Sequence, residues 1–509
     1  MAVVGDQSEA ADFLRALPNA GEPVRTVATH ASLVFLTIDR AFKLKRAVRF
    51  PFLDFSTPER RLRFCETELA LNRRTAPKIY LAVHPITREP NGSLAFDGSG
   101  ELVDAIVEMR RFEDRDLFDE LAQHGGLTPA LMTDLARQIV AFHKSAEINQ
   151  SRGGAGGVAR VLDINQQALR AASTFCPRRT EALITAFQTA LHRHAPLLEA
   201  RREAGKVRRC HGDLILRNIC RFEGEPTLFD CLEFDEGLAT IDVLYDLAFL
   251  LMDLWHRDQP DFANLVFNRY LDGADETDGL GLMPFFMAVR AAVRAHVTAV
   301  QASEAQEDRA ETLHEALAYF ELAERLMVPV APILVAVGGL SGSGKSTAAA
   351  SIASAVGAPP GARVLSSDRV RKALHGVAPE TRLPETAYRP AISERVYARM
   401  RDEARAALVA GCAVVADAVY ERPADREAIA RVAGDTGVAF DGFWLAAPVD
   451  VLLGRLAGRK GDPSDATAAV LLAQAARDCG EISWRLMDAA ADLSHTRTTM
   501  LATLGAPAP

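Results

Sequence analysis

Hydrophobic and polar positions change rhythm several times along the 509-residue chain. Between residues 24 and 50 they alternate in three short runs, VRTVATH, LVFLTID and RAFKLKR, which is the period of half-buried strands. Residues 58–75 take helical spacing, and LVDAIVEM at 102–109 returns to a strand. Beyond about residue 115 helical spacing dominates, with one β-like interruption around 207–235. SRGGAGG at 151–157 and DGADETDGLG at 272–281 read as loops. His296 to Met327 reads as a helix stopped by the prolines of VPVAP, after which ILVAV at 333–337 opens a strand, loop and helix pattern. The pattern predicts a domain over 1–327, with a small β-rich lobe before a larger helical one, and an α/β domain over 328–509.

The strongest chemical signal lies at the start of the second domain. Gly339-Leu-Ser341-Gly342-Ser343-Gly344-Lys345-Ser346 fits G-x-x-x-x-G-K-[ST] and joins ILVAV to the helix STAAASIASAV. Glycines let successive backbone N–H groups turn toward phosphate oxygens, and the helix N-terminus, with Thr347 in its first turn, adds its positive dipole end. Lys345 reaches the terminal phosphates and Ser346 can ligate Mg²⁺, so ATP and Mg²⁺ are the expected cofactors.

Two later strands end in carboxylates. ARVLSS leads to Asp368, with Arg371 three residues on, and CAVVAD ends at Asp417. A carboxylate at a strand's C-terminal end sits in the ligand crevice of an open α/β sheet. Asp368 would orient or deprotonate an acceptor hydroxyl, Arg371 would hold an anionic group, and Asp417 would bind Mg²⁺ through water; helix capping is the alternative for both carboxylates. Arg455 and Arg459, four apart, would share a helix face. They resemble the arginine-bearing lid of small P-loop kinases, with a solvated basic helix end as the alternative. The segment from about 330 to 500 resembles the small-molecule and polynucleotide kinase branch of P-loop proteins.

The first domain carries a second signal. His211-Gly212-Asp213-Leu-Ile-Leu-Arg-Asn218 places an Asn five residues after an Asp, the spacing of a kinase catalytic loop. Asp213 is the candidate base and Asn218 the candidate Mg²⁺ ligand. With Gly at the second place the motif resembles aminoglycoside and choline phosphotransferases. That resemblance implies a second metal-binding Asp at Asp230, which closes the short strand TLFD, with Glu233 and Asp235 as competitors. It implies a nucleotide lysine at Lys43 in Ala-Phe-Lys, with Lys45 open as the alternative, and an ion-pair partner at Glu68, with Glu66 second. It also implies an adenine-binding hinge at Glu108–Met109 and a bracing role for Asp246. No G-x-G-x-x-G precedes Lys43; the turn there is Ala-Thr-His-Ala-Ser.

The combined order resembles the bacterial family described as bifunctional aminoglycoside phosphotransferase/ATP-binding proteins. It implies an α+β, two-lobed protein-kinase-like domain followed by an α/β P-loop NTPase domain with a parallel sheet. The implied activity is transfer of the ATP γ-phosphoryl to a small-molecule hydroxyl by each half, or by one half with the other as an ATP-binding regulator.

Composition changes this picture little. A net charge of −9 argues against nucleic acid as the acceptor, although Arg369, Arg371 and Lys372 offer a local basic groove. Seven cysteines without a C-x-x-C pair read as reduced structural thiols, which makes a zinc site improbable. The opening MAVVGDQSEAADFLRALP lacks a basic then apolar stretch, and no run matches a membrane span, so a cytoplasmic location is expected. Only eight of the 58 Lys and Arg residues are lysines, yet Lys43, Lys45 and Lys345 fall where a phosphate-binding ammonium is expected. The sequence leaves the oligomeric state unknown.

Overall fold

Alternation along Arg-Ala-Phe-Lys-Leu-Lys sets the architecture of the first unit. A strand puts successive side chains on opposite faces. In the strand Arg40–Lys45, therefore, Ala41, Lys43 and Lys45 share one face and Phe42 and Leu44 the other. The computed structural model describes residues 2–3, 5–29, 31–50, 53–304, 308–458, 464–490 and 492–505. In it this strand joins a six-stranded antiparallel sheet in the spatial order Arg25–Ala28, Ser32–Leu36, Arg40–Lys45, Glu101–Arg110, Tyr80–Arg88, Leu94–Phe96. Leu44, Phe35 and Ile106 pack beneath the helix Ser8–Arg15, through its Ala10, Ala11 and Leu14. The opposite face, with Ala41, Val107 and Met109, meets the helix Pro58–Asn72 at Cys65. Thr57 caps that helix and Pro58 starts it, both ordinary signals for a helix N-terminus.

By backbone contacts the chain divides into two compact units. One comprises 1–173 with 180–253, and the other 174–179 with 254–509. The helices Met283–Glu304 and Arg309–Leu326 thus group with the C-terminal sheet, ahead of the 327/328 division expected from the sequence. The expected single helix from His296 to Met327 is two helices. The stretch 277–303 is long and apolar enough to cross a membrane, but two-thirds of its most apolar window is buried within the fold.

In the second unit the strands lie parallel in the spatial order Arg363–Ser366, Val414–Asp417, Ile333–Gly339, Ala439–Ala446, Arg485–Asp488. Val335, Val337, Val415 and Phe443 face the helices Lys345–Ala353 and Leu493–Thr503. Alanines at 348, 349 and 353 bring the first of these helices close to the sheet.

Further readings of local pattern need correction: DGADETDGLG, read as a loop, holds the end of the helix Pro260–Gly273 and most of the 3₁₀ helix Thr277–Leu282. SRGGAGG is only partly a loop, because the helix Gly154–Ala171 starts inside it. A distant carboxylate, Glu199, accepts the Ala155 N–H at 2.8 Å and supplies the helix start that the glycines lack. The strands Tyr80–Arg88 and Leu94–Phe96 escaped the pattern, since two prolines and a polar turn interrupt their apolar alternation.

Candidate active sites

In the first unit the two lysines of one strand face converge on one carboxylate. Lys43 Nζ lies 2.8 Å from Glu68 Oε1, and Lys45 Nζ lies 2.6 Å from Glu68 Oε2. Each lysine has a second partner: Asp230 at 2.6 Å for Lys43, and Glu233 at 2.5 Å for Lys45. Lys45 is sealed at 1% exposure, whereas the Lys43 side chain retains 14% and its partner Asp230 is 39% exposed. Lys43 therefore stands at the open side of the cluster and Lys45 behind it. Burial alone would discharge Lys43, but the carboxylates of Asp230 and Glu68 outweigh it and raise its pKa. Glu68 is held below its ordinary range: burial opposes its charge, and Lys43 and Lys45 overcome that opposition. Glu66, the second choice, is not part of this network, and Asp235 instead caps the short helix Glu236–Ala239 and pairs with Arg160.

The loop 211–218 is folded around its own side chains. Asn218 Nδ2 donates to the Asp213 backbone carbonyl and to Asp213 Oδ2, both at 2.8 Å. The amide oxygen of Asn218 is then left to accept a hydrogen bond or coordinate a cation. Asp246 accepts the N–H groups of His211 at 3.1 Å and Gly212 at 2.8 Å, the brace the motif implied. Gly212 has φ +86°, and a Cβ there would meet the side chains of Leu232 and Ala239 at 2.9 Å. That is the physical reason for glycine at the second place of the motif. His143, Cys210 and Asp246 hold one nitrogen, sulfur and oxygen within 4.8 Å of one another. Each is already hydrogen-bonded: His143 to Asp246 at 3.1 Å, and the Cys210 thiol to the Ile241 carbonyl at 3.5 Å. These hydrogen bonds tie the group into the brace behind the loop.

The hinge reading needs adjustment. Glu108 and Met109 lie inside the strand Glu101–Arg110, paired on both sides with Phe42 and Ala82 and with Ala41 and Tyr80. The Glu108 side chain is on the face away from Lys43, bound to Arg40 at 3.0 Å and His84 at 3.1 Å. Met109 shares the lysine face, but the strand ends only at Arg110, so the backbone that leaves the ladder begins beyond both residues.

In the second unit the phosphate loop follows its strand as expected. Gly339, Gly342 and Gly344 have φ of +138°, +87° and +84°. A Cβ on Gly342 would meet the Leu452 carbonyl oxygen at 2.8 Å, so both conformation and space demand glycine there. Lys345 Nζ donates to the Leu340 carbonyl at 3.0 Å, curled over its own loop. The Ser341 N–H donates to Gln474 Oε1 at 3.0 Å, and the Ser343 hydroxyl is buried without a protein partner. Ser346 and Thr347 are exposed at the helix start.

Asp417 is buried at the end of its strand, and burial pushes its carboxyl above the ordinary value, with Lys345 and the Ser346 hydroxyl pulling the other way and Asp368 adding to the rise. Asp368 lies in the first turn of the helix Ser367–Leu374 rather than at its cap, Ser366, so simple N-capping is not its role. Its charge also reaches Tyr388. Arg371 is buried, stacked 4.7 Å over the Tyr388 ring, with one nitrogen on the Ala387 carbonyl at 2.8 Å and its Nε without a partner. Lys372 is buried against Asp465 at 2.6 Å, and Arg369 pairs with Asp272 at 3.2 Å. The basic groove suggested by these three residues is therefore absent. Arg455 is half-buried on the helix Val449–Ala457 and has no ion-pair partner among the described residues; that helix ends before Arg459, which lies outside them.

Asp465, Tyr388 and Gln474 are the residues that sequence reasoning missed here. Asp465 joins the Lys372 ammonium, the Leu383 N–H at 2.9 Å and the Tyr388 hydroxyl at 2.6 Å. Its one sequence signal is its place in Pro-Ser-Asp, shortly after the arginines; Tyr388 and Gln474 carry none.

Comparison with known proteins identifies the family of the chain. The model of the "Phosphotransferase enzyme family" matches residues 28–282, and that of the "AAA domain" matches 334–478. The chain belongs to the phosphotransferase enzyme family. This phosphotransferase is 32% identical over 461 residues to the uncharacterized protein Rv2004c of Mycobacterium tuberculosis and to the uncharacterized protein Mb2027c of Mycobacterium bovis, covering 88% of this chain and 89% of each relative. Among solved structures it is similar to a choline/ethanolamine kinase family protein from Mesorhizobium loti, at 15% identity and a TM-score of 0.40, over 63% of this chain and 94% of the other. It is also similar to a gluconokinase from Sinorhizobium meliloti, at 22% identity and a TM-score of 0.25, over 34% and 92%. The protein is an ATP-dependent phosphotransferase with a P-loop kinase-like domain fused behind it.

Proposed function

We propose that both halves, residues 1–327 and 328–509, transfer the γ-phosphoryl of ATP to hydroxyl groups of small molecules. One observation supports the reading: each half carries its own lysine ammonium and oxygen donors, Lys43 with Asp213, Asn218 and Asp230 in the first and Lys345 with Ser346 and Asp417 in the second. In the first, Lys43 would hold the α/β-phosphates, released from Asp230 as the nucleotide enters, and Asp213 would take the acceptor proton. The Asn218 amide oxygen and Asp230 are hard oxygen donors of the kind Mg²⁺ requires. In the second, the loop 339–347 with Lys345 would cradle the phosphates, and Asp368 would orient the acceptor. Arg371 would hold the acceptor's anionic group and Arg455 would clamp the moving phosphoryl. The Ser346 hydroxyl and Asp417 are the oxygen donors there. Mg²⁺, when bound, neutralises charge developing on the phosphate oxygens. The chain's residues supply positioning and electrostatic preorganisation.

The alternative is one catalytic half and one ATP-binding regulator. It draws support from the sequence before Lys43, which lacks a G-x-G-x-x-G to cover phosphates. A cytoplasmic location is supported by seven free cysteines.

The test follows ATP consumption and new phosphorylated species by mass spectrometry over a metabolite pool. Asp213→Ala should remove one product and leave the second unit's ATP binding intact, and Lys345→Ala should do the reverse. If both substitutions remove the same single product, the two-site reading fails.

A further inference from the structure

The strand Arg363–Ser366 is the edge of the parallel sheet and pairs on one side only, with Val414–Asp417. An open edge presents unpaired N–H and C=O groups. Here a helix fills that role with side chains. The helix Pro260–Gly273 lies within the 28–282 span of the phosphotransferase match and within the same compact unit as the sheet. Asn264, Asn268 and Asp272 recur every four residues and so share one face. Asn268 acts as a stand-in for a neighbouring strand: its Oδ1 accepts the Val364 N–H at 2.7 Å and its Nδ2 donates to the Ala362 carbonyl at 3.0 Å. Asn264 donates to the carbonyls of Pro360 and Ala362, both at 3.0 Å.

One turn further, Asp272 gathers three guanidiniums. It binds Arg269 of its own helix, Arg363 of the edge strand at 2.7 Å and Arg369 at 3.2 Å. Arg369 follows Asp368 directly, in the first turns of the helix that also carries Arg371. Three cations share this carboxylate, all less than a quarter exposed, so neutralising it raises their mutual repulsion, although Glu380 also acts on Arg269.

We propose that Asp272, contributed by the phosphotransferase-family half, is a positioning residue for the acceptor side of the P-loop half, acting through Arg369 on the placement of Asp368. The inference rests on the reading of the P-loop half as a kinase with Asp368 at its acceptor. It makes that half dependent on a helix outside residues 328–509.

The full-length protein tests this in an Asp213→Ala background, so that only the P-loop half turns over. The acceptor probe is a dilution series of the dialysable small-molecule fraction of a bacterial extract, with γ-¹⁸O-labelled Mg-ATP. Asp272→Asn and Arg369→Gln are each expected to raise the half-saturating concentration of that fraction at least tenfold. The maximal rate and the calorimetric Mg-ATP affinity should stay within about twofold. The double variant should be no worse than either single one, and Asp272→Glu should restore half-saturation to within about threefold. Unchanged half-saturation in both single variants, a parallel loss of Mg-ATP affinity, or additive effects in the double variant would each overturn the proposal. Should Asp272→Asn fail to fold, Arg369→Gln carries the same test. If Asp368→Asn is also silent, the kinase reading itself falls; if Asp368→Asn stops turnover while the Asp272 and Arg369 variants are silent, only the positioning role falls.

Discussion

Lys45 and Lys43 share Glu68, yet their replacement should have opposite signatures. Lys45→Met removes a cation exposed by only 1% and leaves Glu233, 11% exposed, without its partner, while Glu68 keeps Lys43 alone. Removing one member of a buried ion pair costs about 3–5 kcal/mol, because the stranded charge stays desolvated. For a unit of about 250 residues each kcal/mol moves the melting midpoint by about 2–4 °C, so a loss of at least ~6 °C is expected. Lys43→Met strands Asp230, but that carboxylate is 39% exposed and solvent takes over part of the lost interaction. Its stability loss should be less than half that of Lys45→Met, while Mg-ATP binding by the first unit is abolished. Scanning calorimetry with and without a non-hydrolysable ATP analogue reads both effects. Lys45→Met combined with Glu233→Gln should recover part of the loss, since no stranded carboxylate remains. Equal destabilisation by the two lysine changes, or no recovery in the double variant, would refute the assignment of Lys45 to the buried layer.

Three further outcomes follow from other places in the fold. Gly342→Ala forces a side chain into φ +87° against the Leu452 carbonyl, and should weaken nucleotide binding by the P-loop half at least tenfold without unfolding it, as read by calorimetric titration of Mg-ATP. Gln474→Ala leaves the Ser341 amide without its partner, worth about 1 kcal/mol, so hydrogen exchange at that amide should quicken about fivefold. Burial, aided by Arg294, depresses His296 to about 4, so its folded form resists a proton that the unfolded chain takes up near pH 6.5. Its contribution to stability is therefore present above pH 6.5 and is lost as pH falls toward 4; His296→Phe should flatten the fall in melting temperature across that window.

Much of the chemistry was legible because it is local. The phosphate loop needs a strand, glycines with positive φ and a helix start in uninterrupted succession, and residues 333–353 spell that order. The loop 211–218 is legible for the same reason, since its candidate residues Asp213 and Asn218 meet within one turn of chain. Illegible were the roles decided across distance. Glu108 sits one residue from Met109 and yet faces away from the lysines, because strand alternation relative to Phe42 sends its side chain to Arg40 and His84. Asp465 reaches Lys372 and Tyr388 from 93 and 77 residues away, a distance no local spacing rule covers.

Sequence by itself determined which residue types stand at the turns of each candidate site, since glycine conformational freedom and the short reach of a loop are properties of adjacent residues. Tertiary structure decided how those residues share their charges. It set Lys43 at the open side and Lys45 behind, paired Asp230 with one and Glu233 with the other, and gave Arg369 to Asp272. The physical reason is desolvation: a charge buried with the wrong neighbour costs several kcal/mol, and which neighbour it has depends on how distant segments pack.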